Sequence, residues 1–266
     1  WIETTTRYQY NAQNEIEVVG ITRNIEERKK QQQKMAHRLR YEENLAYFSG
    51  ALLLDEPDAL PKGLRYIRDA SGSSRIYIFK NFIDAASRLS MRQVYEVCAE
   101  GVAPQADNPE LQHIVYEANG FGRWKDVLSR KEIINGFVRD FPESEKAVLQ
   151  PQGIRSILVI PVWANNQWYG FIGFDDVETE REWQDEDLDL LRTVAEMTGL
   201  YIENKQNKET VIRHNKELNE ANATKDRFFN IIAHDLKNPF NLILGFSELL
   251  LHNMDKYERD KIRDFT

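Results

Sequence analysis

The residues with the clearest capacity for chemistry are His234, Asp235 and Asn238, which lie together near the end of the sequence. A neutral imidazole can attack a phosphorus centre with one ring nitrogen, while a neighbouring carboxylate fixes the tautomer and accepts the other proton. Asn238 follows His234 by four residues, so on a helix the two side chains lie on the same face. The alternative for an isolated histidine is an ordinary solvated side chain. If this group is a catalytic site, His234 is its nucleophile.

The residues around His234 predict a helix that turns this side chain away from a packed seam. Apolar side chains recur every three or four residues, which places them along one helix face. His234 lies two residues from Ile232, about 200° around the helix at 100° per residue, and should therefore face solvent. Pro239 cannot donate a backbone hydrogen bond, so we expect it to loosen or kink the helix. The apolar stripe consists of Ile232, Leu236, Pro239, Ile243, Phe246 and Leu250.

Residues Phe228–Pro239 resemble the phosphoacceptor motif of sensor histidine kinases. The resemblance covers an aromatic pair, an aliphatic pair and Ala-His-Asp-Leu-Lys-Asn-Pro. It implies a histidine-phosphotransfer domain that dimerises, with two chains forming a four-helix bundle. It also implies that His234 accepts the γ-phosphoryl group of ATP, with Asp235 as its acid/base partner. Asn238 would help to position water for dephosphorylation of the partner receiver domain of a response regulator, and Lys237 either steers the anion or is simply solvated.

The residues that follow the motif contain no Gly-rich lid and no Asn-containing nucleotide box. Phosphoryl transfer depends on such parts for positioning and charge neutralisation. We therefore expect ATP and Mg²⁺ to act through a catalytic domain that this stretch lacks, and we expect the stretch to be inactive by itself. The first bundle helix should end near Asn253, and Tyr257–Phe265 should begin the second.

Length, composition and charge limit the classes of protein to which this chain can belong. The chain has 266 residues, enough for about two domains, and 41% are hydrophobic, which excludes a disordered chain. Its net charge of −8 provides no positive field for binding nucleic acid. The lone Cys98 excludes an internal disulfide and indicates a reducing compartment. No run of about 18 apolar residues occurs, so we expect a cytoplasmic segment without a membrane span, which leaves room for an anchor further upstream.

The central part of the chain alternates apolar strands with short helices. Strands are predicted over Arg75–Phe79, Met91–Cys98, Ser156–Trp163 and Trp168–Phe174. Nearly continuous apolar runs are typical of strands that are buried on both faces. Antiparallel hairpins flanked by helices predict an α+β domain. The other predicted elements are a strand over Ile133–Arg139 and helices over Leu60–Ala70, Pro109–Ala118 and Arg123–Leu128.

Residues 44–205 resemble a GAF domain, most clearly over Arg155–Asp176. The stretch Arg181–Trp183 and the helix that runs into Asn204 are similar to the end of such a domain. The resemblance implies a central antiparallel sheet flanked by helices. It also implies either a small ligand bound between the sheet and its capping segments, or a dimerising sensor without a ligand.

Five aromatic residues are candidates for the lining of a ligand pocket, although core packing explains them at least as well. Bilin attachment is not expected, because Cys98 is followed by Ala99 rather than His. The sequence shows no cyclic-nucleotide signature, no Gly-rich phosphate loop and no His/Cys cluster, so it identifies neither a GAF ligand nor a metal site. The candidate pocket residues are Tyr77, Tyr95, Trp124, Phe137 and Trp168.

The first 23 residues alternate like two strands of a hairpin around the polar turn Asn11–Asn14. A charged stretch without Gly or Pro until Gly50 predicts a connecting helix over residues 24–54, with Asn24 as its N-cap. Residues 1–30 resemble the last strands and the exit helix of a PAS domain. Two positions depart from that family: Asn24 replaces the usual Asp, and Glu26 replaces the usual Thr.

The helix after residue 184 carries a seven-residue apolar repeat with polar interruptions. Such a seam is typical of a coiled coil whose packing can switch between registers. The alternative is a solvated helix with chance apolar positions. The repeat consists of Leu190, Met197, Val211 and Leu218, with Leu200, Ala221 and Phe228 beside it, and it is interrupted by Asn204, Asn207, His214 and Lys225.

Together these patterns predict an α+β chain with long helices on both sides of the GAF domain. Residues 1–27 form the end of a PAS domain, 28–48 a connecting helix and 49–205 the GAF domain. Residues 206–224 form a signalling helix and 225–266 part of the phosphotransfer domain. The predicted function is that of a sensor histidine kinase in a two-component phosphorelay. The alternative is a non-catalytic PAS/GAF module for small-molecule sensing and dimerisation.

Overall fold

The computed structural model describes residues 1–10, 12–54 and 56–253 of the chain. Their contacts divide the chain into two units, with the boundary between Glu203 and Asn204. The predicted second bundle helix over Tyr257–Phe265 lies outside the described residues. Within the described residues, no helix combines the length and the apolar character that crossing a membrane requires.

The chain begins with a two-stranded hairpin followed by a long helix. Strand β1 (Ile2–Tyr10) pairs antiparallel with β2 (Ile16–Asn24), and the side chains of both are exposed. Helix α1 (Glu26–Leu53) follows at once. The N-cap position is occupied by Ile25, one residue later than predicted. The side-chain oxygen of Asn24 nevertheless accepts the backbone N–H of Glu26 at 2.9 Å, which satisfies one of the free donors at the start of the helix.

A six-stranded antiparallel sheet forms the centre of the first unit. Its strand order is β5-β4-β3-β8-β7-β6, so β3 and β8, which are far apart in sequence, are central neighbours. The sheet strands are β3 (Arg75–Ile83), β4 (Leu89–Cys98), β5 (Ile114–Val115), β6 (Ile134–Phe137), β7 (Ser156–Ala164) and β8 (Gln167–Asp176).

The helices flank this sheet and create a core on each of its faces. One core contains side chains of α1, of α2 (Ala59–Ser71) and of the first turns of α5 (Asp185–Asn253). The other lies under the capping segments, which include α3 (Gly122–Leu128) and α4 (Glu143–Leu149). This arrangement confirms the predicted α+β fold with an N-terminal hairpin, helices flanking an antiparallel sheet and a long C-terminal helix.

A β-bulge in β4 decides which of its side chains face the capping segments. Ile78 is opposite Tyr95, but the next residue, Phe79, is opposite Gln93, so Val94 is an extra residue in the ladder. One extra residue reverses the alternation of the strand. Gln93 and Glu96, three positions apart, therefore lie on the same face of the sheet.

Two predicted elements differ from the structure. The helix expected over Pro109–Ala118 is wrong: a short 3-10 turn, Pro109–Leu111, is followed by β5. The β-branched pair Ile114–Val115 extends the edge of the sheet beside Ser90 and Met91, where β-branched side chains pack well. The strand expected over Ile133–Arg139 is shorter, since a 3-10 turn begins at Val138. Helix α4 is an element that the sequence patterns did not indicate.

Helix α5 uses its first turns for the domain core. Leu191, Val194 and Ile202 are buried in that core, and the seam residues Leu190 and Met197 pack against it while partly buried. The later seam residues Leu200, Val211 and Leu218 are exposed. The coiled-coil seam beyond Met197 stays a prediction. The helix continues through Pro239.

Buried Asp187, in the first turn of α5, forms a cluster that we call the Asp187 clasp. Its Oδ1 accepts the hydroxyl of Tyr41 at 3.0 Å and lies 3.1 Å from Nε2 of His37, and both partners are on α1. Its Oδ2 accepts the backbone N–H of Gln184 and lies 3.6 Å from the Arg181 guanidinium. The Asp187 clasp therefore ties the helix that enters the domain to the helix that leaves it.

Replacing Asp187 with Ala should loosen this connection. Tyr41 would keep a buried hydroxyl without its acceptor, so the free energy of unfolding should fall by about 1–3 kcal/mol. Urea denaturation of the two proteins measures the change. Asp189→Ala, an exposed position in the same helical turn, is the matched control and should have a much smaller effect. Equal effects of the two substitutions would contradict this role of the Asp187 clasp.

The Asp187 clasp should also weaken in acid. Burial alone would raise the pKa of Asp187, but the hydrogen bonds from His37, the Gln184 backbone and Tyr41 outweigh it and lower that pKa below its ordinary value. Stability from such a group is present above the unfolded-state pKa, about 3.9, and is lost as the pH falls through the lower folded-state pKa. The stability difference between the parent chain and Asp187→Asn should therefore shrink below about pH 4.

Candidate functional site

The phosphoacceptor candidate lies on the part of α5 that belongs to the second unit. His234 and Asp235 are strongly exposed, with 73% and 71% of their side-chain surface accessible. Nδ1 of His234 lies 3.2 Å from Oδ1 of Asp235. If Nδ1 carries the proton and donates it to the carboxylate, Nε2 keeps its lone pair and is free to attack. The side chains of Lys237 and Asn238 are also exposed on this helix.

The apolar stripe beside the histidine is accessible as well. Within the second unit, Leu236 and Ile243 are more than half exposed, and Phe246 is 42% exposed. Exposed apolar side chains in such a row mark a surface that is suited to burial against another helix. His234 lies within a continuous helix, as predicted. Because the apolar stripe of that helix is exposed as well, the orientation of His234 away from a packed seam stays a prediction.

A small cavity lies in the first unit between the sheet and its capping segments. Tyr77 on β3, Phe171 on β8 and Trp124 on α3 are among its lining residues. Its volume is about 30 Å³, which is room for one or two water molecules. Gly173 lies under the Tyr77 ring, and a side chain at this position would collide with that ring.

The five aromatic pocket candidates do not form one group. Tyr77 and Trp124 line the cavity. Tyr95 packs against the core on the opposite face of the sheet, because the bulge in β4 directs it there. Phe137 is covered by the guanidinium of Arg139, 4.7 Å from its ring centroid. Trp168 lies beside Tyr116 and donates its indole N–H to the Gly170 carbonyl at 2.7 Å.

The polar residues of the cavity were not among the sequence-based candidates. Arg75 forms a buried ion pair with Asp175, with Nη2 and Oδ2 3.0 Å apart. Burial raises the pKa of Asp175 to about 6, although Arg75 acts in the opposite direction. Glu96 and Gln93 also line the cavity. The only signal in the sequence was that these polar residues interrupt apolar strands.

The capping segments are fastened by Glu145 on α4. This buried carboxylate accepts two hydrogen bonds from the Arg123 guanidinium, at 2.8 and 2.6 Å. It also accepts the indole N–H of Trp124 at 2.9 Å. Glu145 thereby joins α3 to α4 and orients the Trp124 ring that lines the cavity.

Neither Cys98 nor a metal cluster offers an obvious reactive centre within the described residues. Cys98 is partly exposed, and burial raises the pKa of its thiol to about 11, which makes the reactive thiolate scarce. Across residues 1–10, 12–54 and 56–253, no group of three or more His, Cys, Asp or Glu side chains is arranged to hold a metal ion.

The comparison with known families decides the identity of the sheet domain. The family model of the GAF domain matches residues 55–202. The chain belongs to the GAF domain family. The cavity therefore lies inside a GAF domain, between its sheet and its capping segments.

Curated relatives with similar sequences are named histidine kinases. The chain is 32% identical over 256 residues to the methanogenesis regulatory histidine kinase FilI of Methanothrix harundinacea. This alignment covers 92% of this chain and 29% of the relative. It is 29% identical over 126 residues to the circadian input-output histidine kinase CikA of a Synechocystis species, covering 41% of this chain and 17% of the relative. The chain thus spans less than a third of these relatives, and the similarity to FilI extends well beyond the GAF domain.

Solved structures with a similar fold include two GAF domains from cyanobacterial phytochromes. The phycoerythrobilin-bound domain has a TM-score of 0.52 and 14% identity, covering 65% of this chain and 99% of its own. The phycocyanobilin-bound domain has a TM-score of 0.50 and 15% identity, and the match covers 65% of this chain and 96% of that domain. At these identities the likeness concerns the fold alone.

Proposed function

We propose that this chain is part of a sensor histidine kinase of a two-component phosphorelay, and that His234 is its phosphoacceptor. The observation that carries the proposal is the exposed His234–Asp235 pair, with 3.2 Å between Nδ1 and Oδ1, in a chain that is similar to one named histidine kinase over most of its length. An ordinary surface histidine would not explain the motif that surrounds His234 from Phe228 to Pro239.

The geometry supports a specific course for the transfer. Nε2 of His234 attacks the γ-phosphorus of ATP, the bond to the oxygen that bridges the β- and γ-phosphorus breaks, and ADP departs with the bonding electrons. Asp235 stabilises the positive charge that develops on the ring and takes up the Nδ1 proton, which leaves a neutral phosphoimidazole. A catalytic domain elsewhere in the protein would bind ATP and Mg²⁺ and supply the charge neutralisation.

The remaining parts of the chain fit a sensor placed upstream of this step. Residues 1–27 would end a PAS domain, 28–48 would connect it to the GAF domain at 49–205, and 206–224 would form the signalling helix. Residues 225–266 would pair with a second copy in a four-helix bundle, with the exposed apolar stripe inside. Asn238 would position water during dephosphorylation of the receiver domain, and the compartment would be the cytoplasm.

Covalent bilin binding is not part of this proposal. The two phytochrome GAF domains that share the fold are bilin-bound. In this chain, however, the only cysteine has a raised pKa and is followed by Ala99. A GAF ligand would therefore bind non-covalently, through the residues that line the cavity.

A phosphotransfer assay tests the proposal. The chain is incubated with radioactive ATP, Mg²⁺ and a separately supplied histidine kinase catalytic domain. We expect label that is stable in alkali and lost in acid, as for phosphohistidine, and we expect a receiver domain to remove it. The chain without the catalytic domain should stay unlabelled. No label under any condition would favour the alternative, a PAS/GAF module that senses and dimerises without catalysis.

A further inference from the structure

Two residues that line the cavity of the GAF domain each carry a buried polar atom for which the described residues supply no partner. Among the described residues, nothing forms a hydrogen bond with Nε2 of Gln93 or with Oε1 of Glu96. Both residues line the cavity, and the bulge in β4 places them on the same face. Leaving a buried amide or carboxylate oxygen unpaired is costly, so a partner from outside the chain is expected.

Glu96 is held in place by its other carboxylate oxygen. Oε2 accepts the backbone N–H groups of Gln105 and Ala106 at 2.7 and 2.8 Å. These two bonds hold the carboxylate on the loop that follows β4. Its free oxygen is therefore a fixed acceptor and not the end of a mobile side chain.

The charges around the cavity favour a cation over an anion. Arg75 pairs with Asp175 and also interacts electrostatically with Glu96. One cation therefore faces two carboxylates, and this group of three side chains keeps a net negative charge. The rest of the wall is largely aromatic or aliphatic and includes Tyr77, Phe121 and Trp124. Aromatic rings stabilise an adjacent organic cation, whereas an apolar wall is a poor environment for water alone.

We propose that Glu96 binds a small organic cation in the GAF cavity by accepting an N–H of the ligand, and that a water molecule beside the ligand accepts the amide N–H of Gln93. Amines and amidines that carry a compact apolar body are the matching chemical class. A ligand of that size needs more room than the present cavity, so the capping segment that contains Val148, Leu149 and Gln152 must move outward when it binds. This inference rests on the proposed function, since the cation would be the signal that the sensor detects.

A binding assay with the full chain tests the proposal. The probes are benzylamine, benzamidine and phenethylamine, and benzyl alcohol and benzamide are the neutral counterparts. At least one cation should bind with a Kd of about 1 mM or lower and raise the melting temperature, while its neutral counterpart binds at least about tenfold more weakly. Titration calorimetry and thermal unfolding provide the measurements.

Two carboxylate variants locate the site. Glu96→Gln keeps the shape and an oxygen for the two backbone N–H groups, and it should weaken cation binding at least about tenfold. Glu100→Gln, an exposed position just beyond β4, should bind like the parent chain. Failure of all three cations to bind, equal binding by Glu96→Gln, or equal binding of neutral probes would overturn the proposal.

This experiment separates the inference from the proposed function. Binding is measured without ATP, so a chain that binds the cation but never labels His234 would contradict the kinase proposal alone. A chain that labels normally but binds no cation would contradict the ligand class alone. If both proposals are correct, the cation should change the rate at which the supplied catalytic domain labels His234.

Discussion

Replacing His234 with Gln is expected to abolish phosphorylation of the chain by a supplied catalytic domain. The amide of Gln carries no ring nitrogen with a free lone pair, so no phosphorus–nitrogen bond can form. Acid-labile label should fall to the background level, while the circular dichroism spectrum stays unchanged, because the side chain is exposed and its polar contact is with the adjacent Asp235.

Replacing Asp235 tests the same proposal through a partial loss of labelling. Asp235→Asn keeps the size of the side chain but cannot accept the Nδ1 proton, so the rate of labelling should fall by roughly 10²- to 10⁴-fold. His252→Gln, which changes another exposed histidine of helix α5, is the matched control and should be labelled at the parental rate. Labelling of His234→Gln, or loss of label in His252→Gln, would remove His234 from its proposed role.

Replacing Asp175 with Ala is expected to cause the largest loss of stability in the GAF domain. Asp175 is the buried partner of Arg75, and the two side chains are 0% and 2% exposed. Removing one member of a buried ion pair leaves an uncompensated charge and costs about 3–5 kcal/mol. At roughly 2–4 °C per kcal/mol for a domain of this size, the melting temperature should fall by about 6–20 °C.

The measurement should be made at about pH 7.5, where Asp175 is ionised because the raised pKa of its carboxyl is about 6. The double variant Asp175→Leu with Arg75→Met removes both charges and should recover most of the loss, since apolar residues of similar volume often replace a buried pair without cost. Asp140→Ala is the control, because the Arg139–Asp140 pair is exposed and is worth at most about 1 kcal/mol. A similar fall in melting temperature for Asp140→Ala and Asp175→Ala would contradict the expectation.

These two predictions concern the two ends of the proposed signalling route. The buried pair supports the strand pairing of β3 and β8, next to the cavity where we place the ligand. The Asp187 clasp joins α1 to the start of α5, and His234 lies further along that helix. A ligand that moves the capping segments therefore acts on the same sheet whose opposite face packs against the first turns of α5.

Local patterns in the sequence were sufficient for most of the elements. The alternation of the first 23 residues predicted the hairpin, the charged stretch without Gly or Pro predicted α1, and the apolar runs predicted the two strands at Ser156–Trp163 and Trp168–Phe174. All of these features depend on the backbone period and on residues close in sequence, which is why the sequence alone contains them.

The tertiary structure decided the features that depend on distant residues. Arg75 and Asp175 are paired because β3 and β8 are neighbours, which no local pattern reveals. The edge of β4 recruited Ile114–Val115 as a strand, although their own neighbourhood suggested a helix. The bulge at Val94 turned Gln93 and Glu96 toward the cavity and sent Tyr95 to the opposite core. Strand order and register are set by packing over the whole sheet, so the polar cavity emerges only when the chain is folded.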